Sequence, residues 1–324
     1  MDQLPHPQNA RAAILKDILT GISVCLVIVS ITLYVPLLGF IMAMMLPMPV
    51  LFYRLKLGRT MGAVIATVVL GIIATASGEL SIDTLFYGGL LLTGFMIGEC
   101  MERNLSIVKT GFYTGVATLG LCFFIVLAHT MFTGKALLPM VSAYVGANLD
   151  LTMELYSNMG IPQENVAVIA QSMDTIQYVL VRVLPSLFIS MLLVVIWSNI
   201  LFIKKILVKK GIHLKKLAHL NRWKAPEYLV WLVITFGIGL ILPMKSFKII
   251  SLNFLISLLP VYFFQGIAIV SFFFEKKKFP RALKIFIYSI IALQQIFLLV
   301  VVGLGFFDTW INFRKNDTAD ETVK

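Results

Sequence analysis

Long apolar runs with almost no charge constrain this 324-residue chain more than any motif does, because about 20 such residues cross the roughly 30 Å of bilayer hydrocarbon. Nine runs are legible: 17–34, 37–53, 61–77, 84–98, 111–132, 179–203, 228–244, 249–274 and 282–307. Pro47 and Pro49 interrupt the second, and the fourth is short and glycine-rich. Counting each run as one helix predicts an all-α, polytopic integral membrane bundle of about nine transmembrane helices, with eight as the alternative. A β-barrel would show short alternating strands instead. The runs are also too long and uncharged for buried helices of a soluble protein.

Basic residues give the bundle a direction, because cytoplasmic gaps accumulate Lys and Arg. Twenty of the 27 fall in one set of alternate gaps, eight of them in 204–224. The N-terminus is therefore expected in the cytoplasm. Nine crossings would put the C-terminal tail outside, and eight would put it inside. The expected organisation is a cytoplasmic N-terminus 1–16, a six-helix membrane bundle 17–204, a basic cytoplasmic helix or loop 205–226, three further spans 227–307 and a polar tail 308–324. Within the bundle, 135–178 forms an amphipathic outer segment.

The net charge of +11 flanks membrane segments and serves no separate domain, so the expected partners are the bilayer and its anionic lipids rather than nucleic acid. Segment 204–224, with Ile206, Leu207, Leu214, Leu217, Leu220 and Trp223 among its cations, suits a helix on anionic lipid or a docking surface for a membrane protein partner. Cys25, Cys100 and Cys122 lack paired spacing and read as packing residues. No metalloprotease, P-loop, serine-hydrolase or paired-cysteine motif occurs, so neither an enzyme nor a cofactor or metal is expected. His6, His213 and His219 lie in polar gaps. His129, at the outer end of the fifth span, is either a proton site or a local hydrogen-bonding residue.

The outer segment carries the most suggestive polar pattern. Val141, Val145, Leu149, Thr152 and Tyr156 recur at helical spacing, while Asp150, Glu154 and Asn158 occupy another face. Gly160 and Pro162 end that helix and Glu164 opens the next, in which Asp174, Tyr178 and Arg182 follow i+4 steps just before Pro185. Asp150, Glu154, Asp174, Tyr178 and Arg182 are thus the candidate ligand-binding residues. Arg182 lies about one turn inside a span, where a cation must be paired or reach water. It either receives an anionic group of a small-molecule ligand, pairs with Asp174 or Glu154, or snorkels to the interface.

Other polar residues read as packing. Glu99, beside Glu102 and Arg103, is expected to pair locally, and Glu79 and Asp83 to be solvated. Gln265, Gln294 and Gln295 lie near the middle of spans, where amides bond between adjacent helices. Gly94 with Gly98, and Gly111 with Gly115, have the spacing that lets helices approach closely.

Four groups of residues carry a resemblance to a family: Leu46, Pro47, Met48, Pro49 and Val50 followed by Arg54 and Gly58; the outer segment leading to Val183, Leu184 and Pro185; Tyr262, Phe263, Phe264, Gln265 and Gly266; and Gly303 to Gly305 with Asp308, Thr309, Trp310, Phe313, Arg314 and Lys315. In this order they make the chain similar to the YybS-like family, bacterial membrane proteins with a domain of unknown function. The resemblance implies a multi-pass protein of the bacterial cytoplasmic membrane. That family resembles, more distantly, the S components of energy-coupling-factor vitamin transporters. On that likeness the first six spans would be S-component-like, the outer segment would cover an outward binding site, and the function would be small-molecule binding or transport. S components dock their partner through an Ala-xxx-Ala face on the first helix; here Gly21 and Cys25 stand at that spacing, and three further spans follow. The alternative function is a membrane scaffold or assembly factor acting through protein partners.

Overall fold

A computed structural model describes residues 7–77, 82–134, 136–159, 163–209 and 220–314, and among them it contains helices and no strand. Among the described residues, seven helices are long and apolar enough to cross a membrane: Arg11–Tyr34, Leu38–Leu57, Arg59–Ala76, Asp83–Glu102, Ile107–Ala128, Ala167–Lys209 and Lys245–Lys276. A bent pair, Arg281–Leu293 with Gln295–Ile311, raises the number to eight at most. The expected count of nine is not reached, because the seventh run forms only the 12-residue helix Tyr228–Gly239 and the ninth is broken.

The chain divides into two compact units. The first comprises residues 1–123 and 192–220. It contains α1 (Pro7–Tyr34), α2 (Pro36–Met45), α3 (Pro47–Leu57), α4 (Arg59–Ala76), α5 (Ile82–Glu102) and most of α6 (Ile107–Thr133). It also contains the C-terminal part of α8 (Gln163–Lys209). Pro36 and Pro47 each begin a helix, where the missing N–H has no partner to lose. The second apolar run therefore folds as two helices jointed at Leu46. Gly58 joins α3 to α4 at φ +90°, a conformation strained for any side chain. The core packs Cys25, Leu46, Val50, Ile65, Val69 and Tyr87 together. A second cluster gathers Leu51 and Ile97 with Ile196, Ile200 and Ile203 of α8.

Glycine lets α3 lie directly on α5. A Cβ at Gly94 would collide with the Pro47 carbonyl oxygen, and one at Gly98 would sit 2.7 Å from Arg54 Cγ. The expected close packing at Gly94 and Gly98 is present. Gly111 and Gly115 do not repeat it: a Cβ at Gly115 would meet nothing within 4 Å, and one at Gly111 would meet only Trp197 Nε1 at 3.9 Å.

The second unit comprises residues 124–191 and 221–324. It holds α7 (Leu137–Asn158), the N-terminal part of α8, α9 (Tyr228–Gly239), α10 (Lys245–Lys276), α11 (Arg281–Leu293) and α12 (Gln295–Ile311). The 47 residues of α8 extend about 70 Å at 1.5 Å per residue, so its polar N-terminal turns project well beyond one bilayer thickness. Helix α9 returns antiparallel against α10, with Phe236 stacked on Phe254 at 4.0 Å and Gly239 against Ser251 near the connecting turn. Gly266 and Gly305 bring α10 and α12 into backbone contact, each facing a carbonyl oxygen of the other helix, on Val301 and Tyr262.

Helices α11 and α12 meet at a 102° bend. Both ends of the pair lie near the basic end of α10. Arg281 follows Lys276 by a short turn. Beyond α12, Arg314 donates to the carbonyls of Asn221 and Trp223 at 2.9 and 3.0 Å, and Lys224 donates to Asn312 at 2.7 Å. Asn221 in turn donates to Glu275 at 2.6 Å. The pair thus enters and returns on one side, and residues 312–314 lie beside the end of the 204–224 gap.

Candidate functional site

The expected outer site is only partly assembled. Helix α7 touches α8 through Gln177, whose Nε2 donates to the Ser142 carbonyl at 2.8 Å and its hydroxyl at 3.2 Å. A Cβ at Gly146 would stand 3.0 Å from the same amide. Yet α7 has no buried residue. Asp150 and Glu154 on α7, and Asp174 on α8, are exposed and form no ion pair among the described residues. Arg182 is brought together with Tyr178 one turn earlier: its guanidinium lies 3.4 Å from the ring centroid, and Nη1 donates to the Tyr178 carbonyl at 3.1 Å. Stacking within one helix takes the place of the expected salt bridge to Asp174 or Glu154. Asn253 of α10 donates to the Arg182 carbonyl at 3.0 Å, which ties this turn to the bundle.

Two buried ionic networks stand out more strongly. In the first unit, Arg54 on α3 has a fully buried side chain and donates through Nη2 to Glu99 at 2.5 Å and to Glu102 at 2.6 Å on α5. Glu99 also receives Nε and Nη2 of Arg103 at 3.0 and 2.7 Å, and Arg59 Nε lies 3.5 Å away. The expected local pairing of Glu99 with Arg103 is present, and Arg54 is the partner that sequence reading missed. Room for it comes from α4 and α5: a Cβ at Gly62 would stand 2.8 Å from Arg54 Cα. Arg54 Nε and Nη1 are buried without a hydrogen bond to the described residues, and the guanidinium carbon lies 5.4 Å from the Phe95 ring centroid. Lys56, by contrast, makes an exposed pair with Asp17 at 2.7 Å.

In the second unit, Asp308 is fully buried and accepts from Arg314 Nη2 at 2.5 Å, Phe313 N at 3.0 Å and Gln265 Nε2 at 3.1 Å. Gln265 Oε1 accepts from Ala225 N at 3.2 Å. The left-handed turn at Asn312, φ 48°, swings Arg314 back to reach Asp308. Gln265 thus bonds between helices as expected. Gln294 and Gln295 make no such bond among the described residues: both are exposed at the α11–α12 bend, where Gln294 adopts extended backbone, φ −104° and ψ 114°.

The three cysteines are free and separate, and no group of three metal-ligating side chains occurs among the described residues. Asp83 is exposed. Glu79, His6, His213, His219, residues 210–219 of the basic gap, tail residues 315–324 and the His129 side chain lie outside the described residues. Three of the four groups of residues that carry the family resemblance converge on the two networks. One contributes Arg54 with Pro47, and the other two contribute Gln265, Asp308 and Arg314.

Residues 23–309 match the family described as Predicted membrane protein (DUF2232). The chain is also 22% identical over 303 residues to the uncharacterized protein YybS of Bacillus subtilis (strain 168), covering 90% of this chain and 94% of that one. No solved structure matches. The chain belongs to the DUF2232 family of predicted membrane proteins.

Proposed function

We propose that this multi-pass membrane protein is a scaffold or assembly factor that presents α7 and the projecting turns of α8 to a protein partner. The observation that carries the reading is α7 itself, 22 residues without one that is buried. Leu138, Tyr144, Leu151 and Leu155 all stand exposed along it. Helices owe most of their stability to packing an apolar face, and an exposed apolar surface of this extent marks contact with either a protein or the membrane. Asp150 and Glu154 on the same helix repel anionic headgroups, which favours a protein over the lipid surface as its cover. The excess of Lys and Arg in alternate gaps supports this reading, in which the N-terminus and the basic gaps face the cytoplasm of a bacterial cell and α7 lies outside the cytoplasmic membrane. A photo-crosslinking residue at Leu151 or Leu155 in native membranes tests this. An adduct with one protein, abolished by Leu151→Glu with Leu155→Glu, is expected; adducts with lipid alone, or adducts indifferent to the two charges, refute it.

A second reading, small-molecule binding or transport on the S-component plan, has one observation in its favour. Arg182 uses only Nη1 in hydrogen bonding to the described residues, which leaves Nε and Nη2 for an anionic group beside the Tyr178 ring. A thermal-shift screen of carboxylate and phosphate metabolites and vitamins tests it. A ligand that stabilises the wild type and not Arg182→Ala supports transport, and equal stabilisation of both refutes a site at Arg182.

A further inference from the structure

The turn between α10 and α11 concentrates positive charge with little inside the chain to balance it. Lys276, Lys277, Lys278, Arg281 and Lys284 fall within a stretch in which no acidic residue follows Glu275 until Asp308. Glu275 is engaged by Asn221, and Asp308 by Arg314. Lys277, Lys278, Arg281 and Lys284 form no ion pair among the described residues. Arg281 opens α11, whose first turn has no acidic residue, so its charge meets the positive end of the helix dipole. Lys284 repeats the charge one turn later, and like charges at that spacing oppose each other. The turn is nevertheless well defined: Lys278 takes a left-handed conformation, φ 49°, and Phe279 N donates to the Phe274 carbonyl at 3.1 Å. The Phe274 ring packs on Phe279 at 5.4 Å and on Tyr288 at 5.3 Å. The cations are thus displayed on a fixed loop.

We propose that this turn binds a net-anionic phospholipid, its headgroup among Lys277, Lys278, Arg281 and Lys284 and its acyl chains along Leu283, Ile285 and Phe286. Lys276 closes a helix long and apolar enough to cross a membrane, so the turn lies where hydrocarbon gives way to headgroups. Beside the cations, Ile285 and Phe286 are 67% and 61% exposed, and Leu283 is exposed with them. Water solvates the charges and leaves these apolar side chains bare, and an acidic soluble protein does the same. A molecule anionic at one end and apolar at the other satisfies both, and clustered Lys and Arg at the end of a span attract anionic lipid. Lys245 and Lys248, at the other end of α10, share the spacing of Arg281 and Lys284, but no other basic residue lies between Lys224 and Lys276. The proposal does not rest on the partner-binding role of α7.

Native mass spectrometry of the full chain in detergent micelles, equilibrated with equal amounts of phosphatidylglycerol and phosphatidylcholine of the same acyl chains, tests the proposal. The two lipids share the phosphate and differ in net charge. The wild type should retain phosphatidylglycerol several-fold over phosphatidylcholine. Arg281→Gln with Lys284→Gln should abolish that preference, and Lys277→Gln with Lys278→Gln, outside either helix, should do so independently if the first pair fails to fold. Lys245→Gln with Lys248→Gln removes the same charge at the same spacing and should leave the preference unchanged. Ile285→Ser with Phe286→Ser should lower the retention of phosphatidylglycerol. Equal retention of the two lipids by the wild type, an equal loss in the Lys245 and Lys248 pair, retention indifferent to the two serines, or displacement of the lipid by excess inorganic phosphate overturns the proposal.

Discussion

Removing the Asp308 carboxylate should destabilise the second unit far more than the loss of one side chain on a surface. Asp308 is fully buried and accepts three hydrogen bonds, from Arg314 at 2.5 Å, Phe313 N at 3.0 Å and Gln265 at 3.1 Å. Hydrogen bonds to a charged group contribute about 1.5–3 kcal/mol each, but their sum overstates the effect because the carboxylate was desolvated to make them. Removing one partner of a buried ion pair costs about 3–5 kcal/mol. Arg314 would keep its bonds to Asn221 and Trp223, so Asp308→Ala is expected near the lower end, about 3 kcal/mol. Arg314→Met on that background removes the stranded cation, and the double variant should be no less stable than Asp308→Ala. Reversible unfolding in mixed micelles, followed by the fluorescence of the four tryptophans, measures all four corners of the cycle. A single variant within about 0.5 kcal/mol of wild type, the range of ordinary surface substitutions, would refute the reasoning. So would strictly additive losses.

The glycine contacts give opposed expectations on neighbouring helices. Gly94→Ala must push a methyl group into the Pro47 carbonyl and should cost about 1–3 kcal/mol as overpacking, whereas Gly115→Ala meets nothing within 4 Å and should stabilise by about 0.5–1 kcal/mol through helix propensity; the same micelle titration reads both. Glu99→Gln should lower the yield of folded protein in size-exclusion profiles, since it weakens the hold on a fully buried Arg54. Arg103→Ala, whose side chain is 63% exposed, should change stability by less than about 1 kcal/mol, and equal losses for the two would contradict the burial argument. A fluorescent protein fused after Lys324 should report the same membrane compartment as one inserted at Gly211, because residues 312–314 bond to residues 221–224; opposite compartments would refute the returning α11–α12 pair.

The helical membrane class was legible because a span is defined by length and apolarity, both countable along a sequence. Direction inside a run is not countable. Residues 282–307 contain enough apolar sequence for one crossing, yet the extended backbone at Gln294 turns the chain through 102°. Ile, Leu and Phe on either side of the bend look the same in a straight helix. The Gln294–Gln295 pair was the available signal, and reading each amide as a bond to a neighbouring helix hid it. Arg54 was hidden for a related reason: in a charge map it counts as one more cation at the end of a span, and its burial depends on Gly62 and Gly98, residues of two other helices that leave the space it fills. The outer segment was legible as two helices, and i+4 spacing places Asp150 and Glu154 on one face of α7 without fixing what they meet on α8. Spacing along one helix fixes which side chains share a face. The pairs that hold this protein together, Arg54 with Glu99 and Gln265 with Asp308, join different helices, where the helix packing decides the encounter.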